Sequence, residues 1–153
     1  MNPITTRHRT TIRFQGKFPP HELGETPYGR RRIVPIIGGT FTGERLSGVV
    51  LPVGADWALI RRDGVFDGEV RSVLQTHDGV LISFSYNGRI HSAEHGLEGF
   101  LTRTRIPPDL YYSMSGRFEC ASDSPYAWLN NMVTVMRGIA APTGSDYEVH
   151  EVL

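Results

Sequence analysis

The chain is poor in thiols, in lysine and in net charge. Its 153 residues include one cysteine, and 16 basic residues are balanced by 16 acidic ones. One cysteine excludes an internal disulfide framework and any site built from several thiolates. A formal charge of zero argues against the basic face that a nucleic acid or an anionic membrane selects. Apolar runs are short, Val49–Leu51 being typical, against the ~20 residues needed to span a bilayer. Met1–Gly16 is polar, carries Arg7, Arg9 and Arg13, and has no apolar core of signal-peptide length. The expectation is a cytoplasmic protein with neither nucleic acid nor membrane as partner. The patterns G-x-x-x-x-G-K-[ST], G-x-G-x-x-G and G-x-S-x-G do not occur, so phosphate cradles and a nucleophile elbow lack support.

What is present is arginine, turn residues and β-branched runs. Lys17 is the only lysine, which leaves 15 arginines. Codon usage explains such a bias, and so does a need for guanidinium forks that grip carboxylate or phenolate oxygens. The 17 glycines and 10 prolines favour a turn-rich fold. The length suits a single domain, 1–153, with 1–9 as a flexible N-terminal segment.

Helical periodicity is nearly missing, and short strand-like runs recur between Gly, Pro and Asp. The candidate strands are Thr10–Phe18, Arg30–Ile37, Arg45–Leu51, Trp57–Arg62, Glu69–Thr76, Val80–Tyr86, Tyr111–Arg117, Leu129–Met136 and Tyr147–Leu153. Asp63-Gly64, Asp78-Gly79 and Asn87-Gly88 are dipeptides that accept positive φ in tight hairpins, and Thr76–Val80 reads most clearly as one. Nine short strands predict an antiparallel barrel or sandwich. Two longer segments, Pro19–Pro27 and His91–Asp109, read as loops at a barrel mouth, the second with a short helix near Ser92–Leu97.

Two strands carry unusual faces. Tyr126–Met136 has no charge on either face, so both sides are expected to be buried, one inside the barrel and one against a loop or a second copy. A homodimer is expected on that ground. In Asp67–Gln75, Glu69 and Arg71 share one face. They are either a solvated surface pair or, inside a polar cavity, a tuned base and its partner.

The candidate motifs are weak singly. His91-Ser92-Ala93-Glu94-His95 has H-x-x-E-H spacing but follows a strand in a Gly-rich loop, and no metal site is assigned. Cys120 reads as a packed residue unless a histidine approaches it. Both tryptophans sit beside polar groups, in Gly54-Ala55-Asp56-Trp57 and Tyr126-Ala127-Trp128-Leu129-Asn130. They are core residues, or walls of a pocket that Asp56, Tyr126 or Asn130 orients.

The ordered series Thr26-Pro27-Tyr28-Gly29-Arg30-Arg31, Ile37-Gly38-Gly39-Thr40-Phe41-Thr42-Gly43 and Leu46-Ser47-Gly48 resembles the domain of unknown function 3237 family. The resemblance continues through Gly54-Ala55-Asp56-Trp57, Arg62-Asp63-Gly64, Asp78-Gly79, Tyr126–Asn130 and Tyr147-Glu148-Val149, covering about residues 20–153. It implies a lipocalin-like antiparallel β-barrel, often oligomeric, with no established general activity. Some members are associated with polyketide or aromatic pathways, where a cyclisation role has been proposed. Tyr112-Ser113-Met114 and Val135-Met136-Arg137-Gly138 depart from the family's usual runs, and His91–Gly99 looks like a private insertion.

The reading is a single all-β barrel around a ligand cavity. Its expected ligand is a small apolar or aromatic oxygenated molecule, and its expected activity is cofactor-free lyase, isomerase or cyclase chemistry. Asp56 or Glu69 is the candidate base, Tyr126 the proton donor, and Arg71 or Asn130 the holder of an enolate oxygen. Trp57, Trp128 and Tyr112 are candidate walls. The alternatives are a non-catalytic carrier or sensor using the same cavity, and a pure dimeric interaction module.

Overall fold

The computed structural model describes residues 1–153. Nine antiparallel strands dominate it: β1 (Thr6–Gly16), β2 (His21–Thr26), β3 (Gly29–Thr42), β4 (Gly48–Ile60), β5 (Phe66–Thr76), β6 (Leu81–His91), β7 (Tyr111–Glu119), β8 (Thr134–Ala141) and β9 (Gly144–Val152). The order is β1-β9-β8-β7-β6-β5-β4-β3, and β1 pairs with β3 to close an eight-stranded barrel. β2 is a ninth strand laid against β3. β3 changes partner along its length, Gly29–Ile33 pairing with β2 and Ile36–Thr42 with β1. Closure leaves the barrel without free edges, which is how an all-β chain avoids unpaired backbone.

The inward positions alternate as a half-buried strand requires. In β5, Phe66, Gly68, Val70, Ser72, Leu74 and Thr76 are buried, and the residues between them are more exposed. Asp63-Gly64 and Asp78-Gly79 form the expected turns, with Gly64 at φ 82° and Gly79 at φ 90°. Thr76 and Val80 exchange the hairpin hydrogen bonds as the sequence indicates. Asn87-Gly88 does not turn. It lies within β6, where Gly88 is paired with Gly68 and Met114, because the residues on both sides continue the alternation.

Four boundaries differ from the sequence reading. Arg45–Leu51 and Trp57–Arg62 are not separate strands; β4 runs from Gly48 to Ile60 and absorbs Pro52 and Gly54 in a register shift. A side chain at residue 54 would place Cβ 1.9 Å from the Arg71 carbonyl, so only glycine fits. Pro19–Pro27 is not a loop, since β2 occupies its centre. Tyr126–Met136 is not one strand: Ala127–Asn131 forms a 3-10 helical turn and β8 begins at Thr134. Thr6–Arg9, expected to be flexible, belongs to β1 and pairs with β9.

The helix of the long segment is α1 (Glu98–Thr102), later than expected, and it places Phe100 and Leu101 over one end of the barrel. The outer face of β8 is open, with Val135 and Ile139 exposed, as is Val133 just before the strand. No helix is long and apolar enough to cross a membrane, which says nothing about strands.

Candidate functional site

The barrel is filled unequally. Around the β5–β6 turn, Phe41, Leu74, Ile82, Phe84 and Leu129 are fully buried, and Phe84 stacks on Phe118 with ring centroids 4.3 Å apart. The opposite half holds a cavity of about 60 Å³ whose lining includes Phe18, Leu101 and Arg103. At ~10–15 Å³ per water-sized sphere, the enclosed part takes a group of roughly four to six non-hydrogen atoms. A larger molecule would keep the rest of its body in the mouth.

Asp56 projects into this cavity from β4. Its Oδ1 accepts a hydrogen bond from the Glu69 amide at 3.1 Å. Burial pushes its carboxyl up to about 7, against the pull of that amide and of Arg32 and Arg103, which favour the charged form. A carboxyl poised near neutrality can both take and return a proton at ordinary pH.

Facing it is a chain of hydroxyls. Tyr112 donates to Ser145 Oγ at 2.7 Å, and its oxygen lies 2.6 Å from the Tyr147 hydroxyl. Because a phenol has one proton, Tyr147 is the donor in the second bond. The Ser145 proton is then free for a molecule in the cavity, which Ser145 lines. Burial pushes Tyr112 up to about 12 and raises Tyr86 and Tyr147 well above the usual phenol value, so all three remain proton carriers. Gly138 makes this placement possible: a Cβ there would sit 2.4 Å from the Tyr112 ring.

Two arginines complete the lining. Arg32 follows the inward alternation of β3 with Val34 and Ile36. It donates to the Leu101 carbonyl at 3.1 Å and pairs with Glu22 of β2 at 3.0 Å. Arg103 ends α1 and is the one non-glycine residue with positive φ, 57°, a conformation that costs an L-residue about 1–2 kcal/mol. That turn lays its guanidinium over Phe18 at 4.8 Å and Phe100 at 4.6 Å. Burial lowers both arginines from their usual value, but a guanidinium stays protonated.

Of the sequence candidates, Asp56 and Tyr112 meet in the cavity and the others lie outside it. Glu69 and Arg71 are not in a polar interior: they point outward from β5, where they meet Trp57 and Arg31 on the barrel surface. Trp57 is 42% exposed and cannot wall the cavity. Trp128 lies beneath Arg45 and Arg9, at 4.7 and 5.5 Å from their guanidinium carbons. Tyr126 donates to Asp78 Oδ1 at 2.8 Å, at the packed end of the barrel. Asn130 brackets Cys120, accepting from its amide at 2.8 Å and donating to its carbonyl at 3.0 Å. Both residues tie the 3-10 turn to the barrel. Cys120 contacts Tyr126 and Ser124, and no histidine is bonded to it.

Sequence reasoning missed Arg32, Tyr86, Arg103, Ser145 and Tyr147. Arg32 and Tyr147 carry a readable signal, a polar group at an inward position beside Val34 or Val149. Arg103 carries none, because a loop brings it to the cavity. The H-x-x-E-H segment does not act as a unit either. His91 stacks on Tyr111 at 4.7 Å, whereas Glu94, His95 and Asp109 bring their ligand atoms within 4.8 Å of one another at the surface. Asp109 already accepts from Ser92, the Glu94 amide and His95, which hold its carboxyl far below the usual range. The cluster is a loop brace.

Comparison with known proteins agrees with this architecture. A family model described as a protein of unknown function (DUF3237) matches residues 4–152. A UPF0311 protein of Bradyrhizobium diazoefficiens is 33% identical over 131 residues, 85% of each chain. A crystal structure described as a β-barrel like protein from Acinetobacter baumannii superposes with TM-score 0.86 at 31% identity, covering 100% of this chain and 98% of that one. A conserved protein of unknown function from Rhodopseudomonas palustris gives TM-score 0.89 at 29% identity and covers both chains fully. A protein described as an enzyme from Penicillium herquei shares the fold at TM-score 0.75 and 16% identity, over 100% of this chain and 97% of that one.

Proposed function

This chain belongs to the DUF3237 family, and from that premise we propose that its barrel is a cofactor-free lyase, isomerase or cyclase. The substrate is a small, largely apolar oxygenated molecule, polyketide-like or aromatic, whose reacting end enters the cavity. The observation that carries the reading is the meeting of a carboxyl poised near 7, Asp56, with two guanidiniums and a hydroxyl chain in one mostly apolar chamber.

In the proposed reaction, the Asp56 carboxylate removes a proton from carbon next to a carbonyl. The electron pair of the C–H bond becomes a C=C bond, the C=O π pair moves to the oxygen, and Arg103 or Arg32 stabilises the resulting enolate. Ser145 gives a proton to another carbon or to a departing oxygen. Tyr112 and Tyr147 pass their protons along the chain behind it, and the proton taken by Asp56 restores that chain through water before the next turnover. Isomerisation and elimination differ only in where that second proton goes. In cyclisation the substrate's own hydroxyl adds to the β-carbon of a conjugated carbonyl as its proton passes to Asp56. The C=C pair moves to form the enolate, and the α-carbon then takes a proton from Ser145. Arg32 and Arg103 replace Arg71 and Asn130 in the oxyanion role, and Ser145 replaces Tyr126 as donor.

The test is deuterium exchange. Small aryl ketones and β-dicarbonyl compounds are incubated with the protein in D2O, and loss of the α-proton signal is followed by NMR. The wild type should accelerate exchange, and Asp56→Asn should lower the rate by roughly 10²–10⁴-fold. Binding without exchange would favour the carrier reading instead. A homodimer remains part of the proposal, supported by the exposed Val135 and Ile139 of β8 and by Val133 just before it. Sedimentation of the wild type against Val135→Arg tests it, since a monomer in both would remove it.

A further inference from the structure

Arg103 is a largely buried cation with no carboxylate partner. The ion pairs of the chain involve Arg9, Arg13, Arg30, Arg32, Arg61, Arg89 and His95, and none reaches Arg103. Its hydrogen bond to the Ala141 carbonyl is long, 3.5 Å, its guanidinium lies over the faces of Phe18 and Phe100, and Tyr112, Tyr147 and Asp56 act on its charge without forming an ion pair. Arg32 is 5% exposed and has Glu22 as a counter-ion on the β2 side. Its Nε nevertheless lacks a partner, as does the Nε of Arg103. A buried N–H without an acceptor costs about 1–3 kcal/mol, more when the group is charged. Both arginines line one small cavity, although the unpartnered Nε atoms themselves are closed off from it.

Charge bookkeeping points the same way. The chamber contains two guanidiniums, and one of them is answered by Glu22. The remaining interior acid, Asp56, is only partly ionised at neutral pH. The cavity is therefore short of negative charge.

We infer that the cavity recognises a substrate carrying a single carboxylate, which pairs with the Arg103 guanidinium beside that of Arg32 while its apolar body lies along Phe18, Phe100 and Leu101. A monoanion fits better than a phosphate, since the lining is mainly hydrophobic and a dianion beside Asp56 would meet a like charge. The inference deepens the proposed function by naming the substrate's charge, and it rests on that cavity being the substrate site.

The test measures binding without turnover. Acetate, 3-methylbutanoate and benzoate, the corresponding neutral amides and inorganic phosphate are titrated into the protein by calorimetry. In parallel, the arginine side-chain ¹⁵N–¹H resonances are followed by NMR. At least one carboxylate should bind tenfold or more tightly than its amide, and the side-chain N–H signals of Arg103 and Arg32 should shift on binding. Arg103→Gln should bring the carboxylate-to-amide ratio close to one, and Arg32→Lys should reduce it. Equal binding of acid and amide, no binding by any carboxylate, tighter binding of phosphate, or an unchanged ratio in Arg103→Gln would overturn the inference. The wild-type resonances decide the matter even if a variant fails to fold. Asp56→Asn separates the two claims: carboxylate binding should persist there while deuterium exchange is lost. Retained exchange in that variant removes the catalytic reading and leaves the anion site standing.

Discussion

The Glu69 amide donates to Asp56 Oδ1 over 3.1 Å, while the Glu69 side chain lies on the outer surface of the same barrel wall. Two acids that the sequence offers as equal candidates thus lie on opposite faces of the paired strands β4 and β5, and only one reaches the cavity. Glu69→Gln keeps the amide donor and should leave deuterium exchange within about twofold of wild type, because surface substitutions seldom disturb a buried site. Asp56→Asn should lower exchange by roughly 10²–10⁴-fold. Parallel rate measurements on the two variants check this, and equal losses would place Glu69 back among the reacting groups.

Stability should record the same carboxyl. Asp56 holds its proton more tightly in the folded chain, at about 7, than at its ordinary value of 3.8. Between about pH 4 and pH 7 the native state therefore binds more protons than the unfolded chain, and stability falls as pH rises. The loss is complete above the folded value and amounts to at most roughly 4 kcal/mol. Asp56→Asn retains an acceptor for the Glu69 amide and removes the titration. Urea unfolding from pH 4 to pH 8 should show the variant gaining on the wild type across that window. Parallel curves would contradict the buried, raised carboxyl.

Tyr112 connects packing to chemistry. Tyr112→Phe keeps the ring and leaves the hydroxyls of Ser145 and Tyr147 without their shared partner. It should cost about 1–3 kcal/mol and slow exchange by roughly 10²-fold. Gly138→Ala pushes on the same ring from β8 and should destabilise by about 1–3 kcal/mol through overpacking. Chemical denaturation and exchange rates on both variants test the pair, and a fully stable Gly138→Ala would deny the close contact.

Tyr126 should behave differently. Its hydroxyl bonds to Asp78, whose carboxyl is held low by Thr76 and then by Tyr126. Tyr126→Phe should lower Tm and leave exchange unchanged, because the residue sits at the packed end of the barrel. The stability supplied by Asp78 is present above its unfolded pKa and is lost as pH falls through the depressed folded value. The Tm deficit of the variant should therefore shrink in acid. A loss of exchange without a loss of stability would restore Tyr126 as a proton donor.

Much of the fold was legible in local chemistry. Asp63-Gly64 and Asp78-Gly79 turn because their glycines accept positive φ, and the alternation in β5 predicts its buried face. Pro52-Val53-Gly54 misled because a bulge continues the strand that those residues seem to end. Asn87-Gly88 misled because two strands pair across it and override its turn propensity. The site was legible only where it follows strand periodicity. Asp56 and Tyr112 lie on inward positions, and Arg32 obeys the same period on β3. Arg103 does not, since its place depends on α1 folding back over the mouth. Glu69 and Arg71 share a face, but period two does not say which face is inside.

The most direct measurement is a ¹³C NMR titration of the Asp56 side-chain carboxyl, assigned by its disappearance in Asp56→Asn. A midpoint near pH 7, shifted by a bound carboxylate, is the result expected of a base poised inside the barrel. A midpoint near the ordinary value of 3.8, insensitive to ligand, would mean a solvated carboxylate and would contradict the account.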